Sequence, residues 1–198
     1  MNRQWRTALV VAILACLCRA PISAEDWPQF RGPTRQGISQ ETGLPVRWDA
    51  QSGENIAWVQ EIPGSGWSSP VVVGGRVYLN TAVELDESPQ TDRSLRALCL
   101  DAKTGEPVWN VEVFRQEGAT TDRIHTKNSH ASPTPLIDDG QMFVHFGTHG
   151  TACLELDGNI VWQTRELAYA PQHGSGGSPA LIDDALVISC DGRDVQYV

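Results

Sequence analysis

Basic residues are the scarce ones in this chain. Its 198 residues hold 15 Lys and Arg against 24 Asp and Glu, a formal net charge of −9. Such a surface repels phosphate backbones and anionic lipid, so nucleic acid and acidic membranes are excluded as partners. Cysteine is scarce too: of five, only Cys99, Cys153 and Cys190 lie beyond residue 24. They are odd in number, lack metal-type spacing and sit in or beside apolar stretches. That pattern reads as buried small hydrophobes, with one disulfide as the alternative. There is no Gly-x-Ser-x-Gly elbow and no His-Glu-x-x-His pair, so neither motif's nucleophile or zinc chemistry is encoded. Long amphipathic patterns are missing, and the apolar run Thr7–Cys18 is too short to span a bilayer.

That run has a different use. Arg3 and Arg6 precede it, and the small-residue site Ile22-Ser23-Ala24 follows it. This is the anatomy of a secretory signal peptide over residues 1–24, cut after Ala24. Its removal takes Arg3, Arg6 and Arg19 and moves the net charge from −9 to −12. A lipoprotein signal, Ile13-Leu14-Ala15-Cys16 with Cys16 lipidated, is the alternative. Either way the chain is expected to be exported, to the periplasm or beyond.

What the chain does have is turns and repetition. Gly (18) and Pro (12) are plentiful, which favours many short strands over helices. Leu100-Asp-Ala-Lys-Thr-Gly-Glu-Pro-Val-Trp109 returns in degraded form as Leu156-Asp-Gly-Asn-Ile-Val-Trp162. A remnant, Asn55-Ile-Ala-Trp58, precedes both, and the three tryptophans lie 51 and 53 residues apart. A second landmark keeps step: Ser69-Pro70, Ser132-Pro133 and Ser178-Pro179, each before an apolar run. Periods near 40–50 residues holding several short strands are the mark of a β-propeller, whose blades copy one four-stranded unit.

The units are then placed as follows. A first blade spans 66–113, with strands from Pro70, Val77, Leu95 and Val108 and a tight turn at Asp101–Gly105. A polar, acidic insert, Glu84–Ser94, loops out between its second and third strands. A second blade spans 128–167 and a half blade 174–198, with Ala185–Cys190 as its second strand. Residues 55–62 read as the closing strand of another blade. The predicted fold is all-β: about two and a half antiparallel blades of a 7–8-bladed ring, over residues 25–198. The array stops inside a repeat, so the sequence is expected to be a piece of a longer reading frame.

The Ala97–Trp109 stretch resembles the repeat of pyrroloquinoline-quinone-type propellers. Asp26-Trp-Pro-Gln-Phe-Arg-Gly-Pro33 with Gly37-Ile-Ser39 resembles the N-terminal signature of exported bacterial members. The resemblance implies that Trp58, Trp109 and Trp162 are structural. Each ring lies flat between neighbouring blades and its indole N–H meets a backbone carbonyl of the adjacent blade, while the Asp101–Gly105 turn sets the register. It also implies two opposite functions. Quinone-dependent dehydrogenases hold quinone and calcium over the ring centre and carry an adjacent Cys-Cys pair and a Glu/Asn/Asp set. No Cys-Cys occurs here and no position matches that set. Binding members, such as BamB-like assembly lipoproteins, use the blades to dock proteins.

The expectation is therefore a non-catalytic exported scaffold for a protein or extracellular polymer, with no cofactor, catalytic residue or metal. The alternative is a fragment of a quinone-dependent dehydrogenase using the quinone with calcium, its catalytic blades elsewhere. A propeller hydrolase or lyase has no motif in its favour. If a ligand binds, it does so at the blade-to-blade crossings, which face the channel: Trp67, Ser68, His130, Ser132, Gly176 and Ser178. His145 and His149 are read as ordinary strand and loop histidines. The acidic pairs Asp138-Asp139 and Asp183-Asp184 are read as hairpin turns.

Overall fold

The computed structural model describes residues 24–87, 91–118 and 124–198. The expected signal peptide up to residue 23, with Cys16, lies outside them. Twelve strands form four antiparallel sheets, and no α-helix occurs among the described residues. No helix there is long and apolar enough to cross a membrane.

The first four-stranded sheet runs β1 (Val71–Val73), β2 (Arg76–Glu84), β3 (Arg93–Asp101) and β4 (Pro107–Gln116), each beside the next. The second repeats the order with β5 (Leu136–Asp138), β6 (Gln141–His145), β7 (Thr151–Glu155) and β8 (Ile160–Thr164). These are the two blades. The chain is thus an all-β partial propeller. Hairpin chemistry explains the order. Gly74 and Gly75 have φ of 57° and 73°, and Asp139 and Gly140 have 42° and 76°; two positive φ values are what a two-residue turn matching strand twist requires.

The Glu84–Ser94 insert is smaller than expected. Glu84 pairs with Arg93 in register and accepts its Nη2 at 2.7 Å. Strand pairing carries on through the polar residues, because the ladder uses backbone groups and tolerates any exposed side chain. Residues 55–62 differ in the opposite sense. Ile56, Trp58, Gln60 and Ile62 are half-buried and the residues between them exposed, the alternation of a strand, yet no strand is formed. The alternation was legible; the ladder needs a neighbouring strand that the described residues do not supply. In the third unit, β9 (Ala180–Ile182) pairs with β10 (Ala185–Val187), and a separate hairpin joins β11 (Cys190–Asp191) to β12 (Gln196–Tyr197). The expected strand Ala185–Cys190 is broken at Ile188-Ser189.

One core joins the two blades. Val71, Tyr78, Leu95 and Phe114 from the first pack in a single cluster with Ile137, Met142, Val144, Phe146 and Leu154 from the second. The N-terminal segment ties both together. Trp27 exchanges backbone hydrogen bonds with Val72 on the edge strand β1, at 2.6 and 2.9 Å, and the Pro28 carbonyl accepts Ile137 N–H at 2.8 Å. An edge strand otherwise left open is covered. Gly32, at φ 73°, lies on the Trp27 ring, where a Cβ would come within 2.6 Å.

Candidate binding sites at the blade crossings

Two of the three repeated tryptophans face a turn one blade further on. Trp58 donates its indole N–H to the Ala102 carbonyl at 3.0 Å, inside the Asp101–Gly105 turn. Trp109 donates to the Leu156 carbonyl at 2.9 Å, beside the turn holding Gly158. The first turn is an Asx turn: Asp101 Oδ1 accepts Lys103 N–H at 2.9 Å and Thr104 N–H at 3.1 Å, and its other oxygen pairs with Arg76. Those backbone donors, ahead of Arg76, hold the Asp101 carboxyl below its ordinary range. Trp162 has no such turn to meet among the described residues. It is 40 % exposed and packs on Phe143 instead.

The crossings are laced by their Ser and Thr residues. Ser69 N–H donates to Thr134 Oγ1 at 3.0 Å, and Thr134 N–H to Ser178 Oγ at 2.9 Å. Trp67 N–H donates to Ser129 Oγ at 3.1 Å, and Ser132 Oγ lies 3.2 Å from the same hydroxyl. Of the six residues expected at the crossings, Trp67, Ser132, Gly176 and Ser178 line one open cavity of about 550 Å³. Ser68 does not. Its hydroxyl turns into the first blade, to the Asn80 carbonyl at 3.3 Å. His130 lines a different cavity. Phe30, Arg31 and Arg35 complete the wide cavity, which has no carboxylate in its wall. These three are not legible in the sequence, because only the fold brings the N-terminal segment to the crossings.

The second cavity, about 430 Å³, is built around histidines. Gln116, at the end of β4, is 1 % exposed, and its Nε2 lies 2.9 Å from His130 Nδ1 and 2.7 Å from His149 Nε2. An amide N–H₂ donating to both makes both rings acceptors there, so each carries its proton on the other nitrogen. Gln116 Oε1 has no partner among the described residues; an unpaired buried acceptor costs about 1–3 kcal/mol. Burial pushes His130 down to about 4, with Arg93 and His149 adding to it. Burial and Arg165 lower His149. His145 faces away from the cluster, its Nδ1 2.9 Å from Thr151 Oγ1 and its Nε2 3.4 Å from Tyr169 Oη, and burial takes it to about 4. The 3₁₀ turn Gly147–His149 separates the two rings that strand spacing would have put on one side.

A quinone held with calcium requires clustered anionic oxygen donors. Among the described residues no group of three or more His, Cys, Asp or Glu side chains is placed to hold a metal ion. The smaller cavity has one carboxylate, Asp194, which already accepts Ala170 N–H at 2.8 Å. Cys99, Cys153 and Cys190 are buried and free, on β3, β7 and β11. The described residues do not fit the group.

The sequence model of the family described as outer membrane protein assembly factor BamB matches residues 90–197, more than half of the chain. The chain belongs to this PQQ-like repeat family. Among solved structures, the PQQ-like chain is similar to BamB from Moraxella catarrhalis, with 20 % identity and a TM-score of 0.43. That likeness covers 67 % of this chain and 33 % of the other. It is also similar to a europium-containing methanol dehydrogenase, with 18 % identity and a TM-score of 0.41, over 62 % of this chain and 20 % of the other. The PQQ-like chain thus spans a third or less of the length of these solved relatives. No curated protein matches it.

Proposed function

We propose that this PQQ-like chain is an exported, non-catalytic docking module that binds a protein at the wide crossing cavity. The observation that carries the reading is the make-up of that rim. Trp67 is 57 % exposed and Phe30 47 %, with Arg31 and Arg35 beside them and no carboxylate in the wall. Exposed aromatics and arginines are the residues that dominate protein–protein hot spots. Their concentration in a chain of net charge −9 makes this a cationic spot on an acidic molecule. The family's description as an assembly factor supports a protein partner, and residues 1–24 supply the route of export. A dehydrogenase fragment is the competing reading, and the donor groups present give it no support.

The test is photo-cross-linking in cells, with a photoreactive residue placed at Trp67, at Arg31 or, as a control, at exposed Lys103. Discrete protease-sensitive adducts are expected at 67 and 31 and none at 103. Adducts that only a glycosidase removes would point to a polymer instead. No adduct, or equal yields at all three positions, would overturn the docking surface. A saturable absorbance change on adding quinone and calcium would overturn the non-catalytic assignment.

A further inference from the structure

We propose that the smaller cavity is a separate site for a small organic anion of sugar-acid size, held by Arg165 and the paired imidazoles of His130 and His149. Its wall shares no residue with the docking cavity, so the two can be probed by separate substitutions.

The wall is rich in donors and poor in acceptors. Both imidazoles spend one nitrogen on Gln116, which leaves each a ring N–H on the far side. Neither far nitrogen has a partner among the described residues. The guanidinium of Arg165 stands over the Phe114 ring at 5.2 Å and donates one N–H to the Arg115 carbonyl at 3.1 Å. No carboxylate pairs with it among the described residues, and its side chain is exposed, so its remaining donors are open to a ligand. The Tyr169 hydroxyl, 2.9 Å from Ser175 Oγ, adds a further polar edge. Asp194 is the one acid in the wall, and its bond to Ala170 N–H partly satisfies it.

Each feature selects for part of the ligand. An unpaired guanidinium asks for a carboxylate, which it can meet with two parallel bonds. Two fixed ring N–H groups ask for acceptor oxygens, such as the hydroxyls of a sugar. Phe146 and Leu167 supply an apolar wall against which a ring's C–H face can lie. About 430 Å³ lies in the lower part of the range for small-molecule pockets, room for one such ring. The fixed tautomers matter because a histidine free to choose would discriminate less between donors and acceptors.

D-glucuronate is the probe, titrated calorimetrically into the full chain, with D-glucose lacking the carboxylate and acetate lacking the ring. Saturable one-to-one binding of glucuronate is expected, with glucose and acetate at least tenfold weaker. Arg165→Gln, at an exposed position, should weaken glucuronate at least tenfold, while Arg31→Gln in the other cavity should leave it unchanged. In the unmutated chain, the imidazole nitrogen resonances of His130 and His149 should move on saturation, a readout no folding defect can mimic. No saturable binding, equal affinity for glucose, or unmoved imidazole resonances would overturn the site. The docking reading would survive that result, because it rests on Trp67 and Arg31.

Discussion

Two tryptophans from the same repeat position do unequal work. Trp109 is half-buried, tilts against Tyr78 with ring centroids 6.0 Å apart, and donates its N–H across to the next blade. Its ring also fills the space over Gly158, where a Cβ would come within 3.1 Å of it. Truncating it removes that packing and leaves the Leu156 carbonyl short of a donor. Trp109→Ala should cost about 3 kcal/mol, the low end of the range for deleting a large aromatic because the ring is half-buried. Trp162 is 40 % exposed and its N–H meets no carbonyl among the described residues, so Trp162→Ala should cost only about 1 kcal/mol. Urea melts of the two variants give the comparison. Equal losses would mean that the inter-blade hydrogen bond and burial do not distinguish them.

At the scale of the element, the hairpin turns divide into those that touch another blade and those that do not. Gly105 has φ 77°, and a Cβ there would lie 2.6 Å from the Trp58 ring. Gly74 has φ 57° with nothing within 4 Å. Alanine at either site carries the left-handed strain of about 1 kcal/mol or more. Only at Gly105 does it also push on a packed ring, worth a further 1–3 kcal/mol or so. Gly105→Ala should therefore lower the melting temperature clearly more than Gly74→Ala, in parallel thermal unfolding of the two. The same distinction explains what was legible in the sequence. Turn residues and Ser-Pro crossings are local signals, so both blades and most strand boundaries could be read. The Gln116–His130–His149 cluster could not be, because its members lie 14 and 33 residues from Gln116 in sequence and only the fold brings them together. A glutamine at a strand end carries no motif. Residues 55–62 show the converse: alternation is a property of one segment and can be read from sequence, whereas a paired strand is a property of two.

Across the whole molecule, buried neutral imidazoles set how the fold answers acid. His145 is 1 % exposed, and its pKa falls from the ordinary 6.5 to about 4 in the fold. His130 is shifted to about 4 as well, though it is less enclosed, and His149 is lowered in the same direction. A group whose folded pKa is depressed binds its proton more readily when unfolded. The unfolded chain therefore takes up more protons between about pH 6.5 and 4, and stability falls as pH is lowered through that window. For His130 and His145 the full contribution is present above 6.5, and they add no further loss below about 4. His145 alone accounts for on the order of 3 kcal/mol. Asp101 and Asp194, both held below their ordinary 3.8, act in a separate window further down. At the alkaline end, burial raises Tyr78 from 10.0 to about 12, so its contribution is complete below 10 and lost as pH rises toward 12. Denaturant melts at steps between pH 7 and 4.5 should show a falling free energy of unfolding. His145→Asn, which removes the most deeply buried titrating ring, should flatten that slope even if it lowers stability at pH 7. A slope unchanged by the substitution would show that His145 is not what the fold must keep neutral, and that the acid sensitivity belongs to the His130–His149 pair.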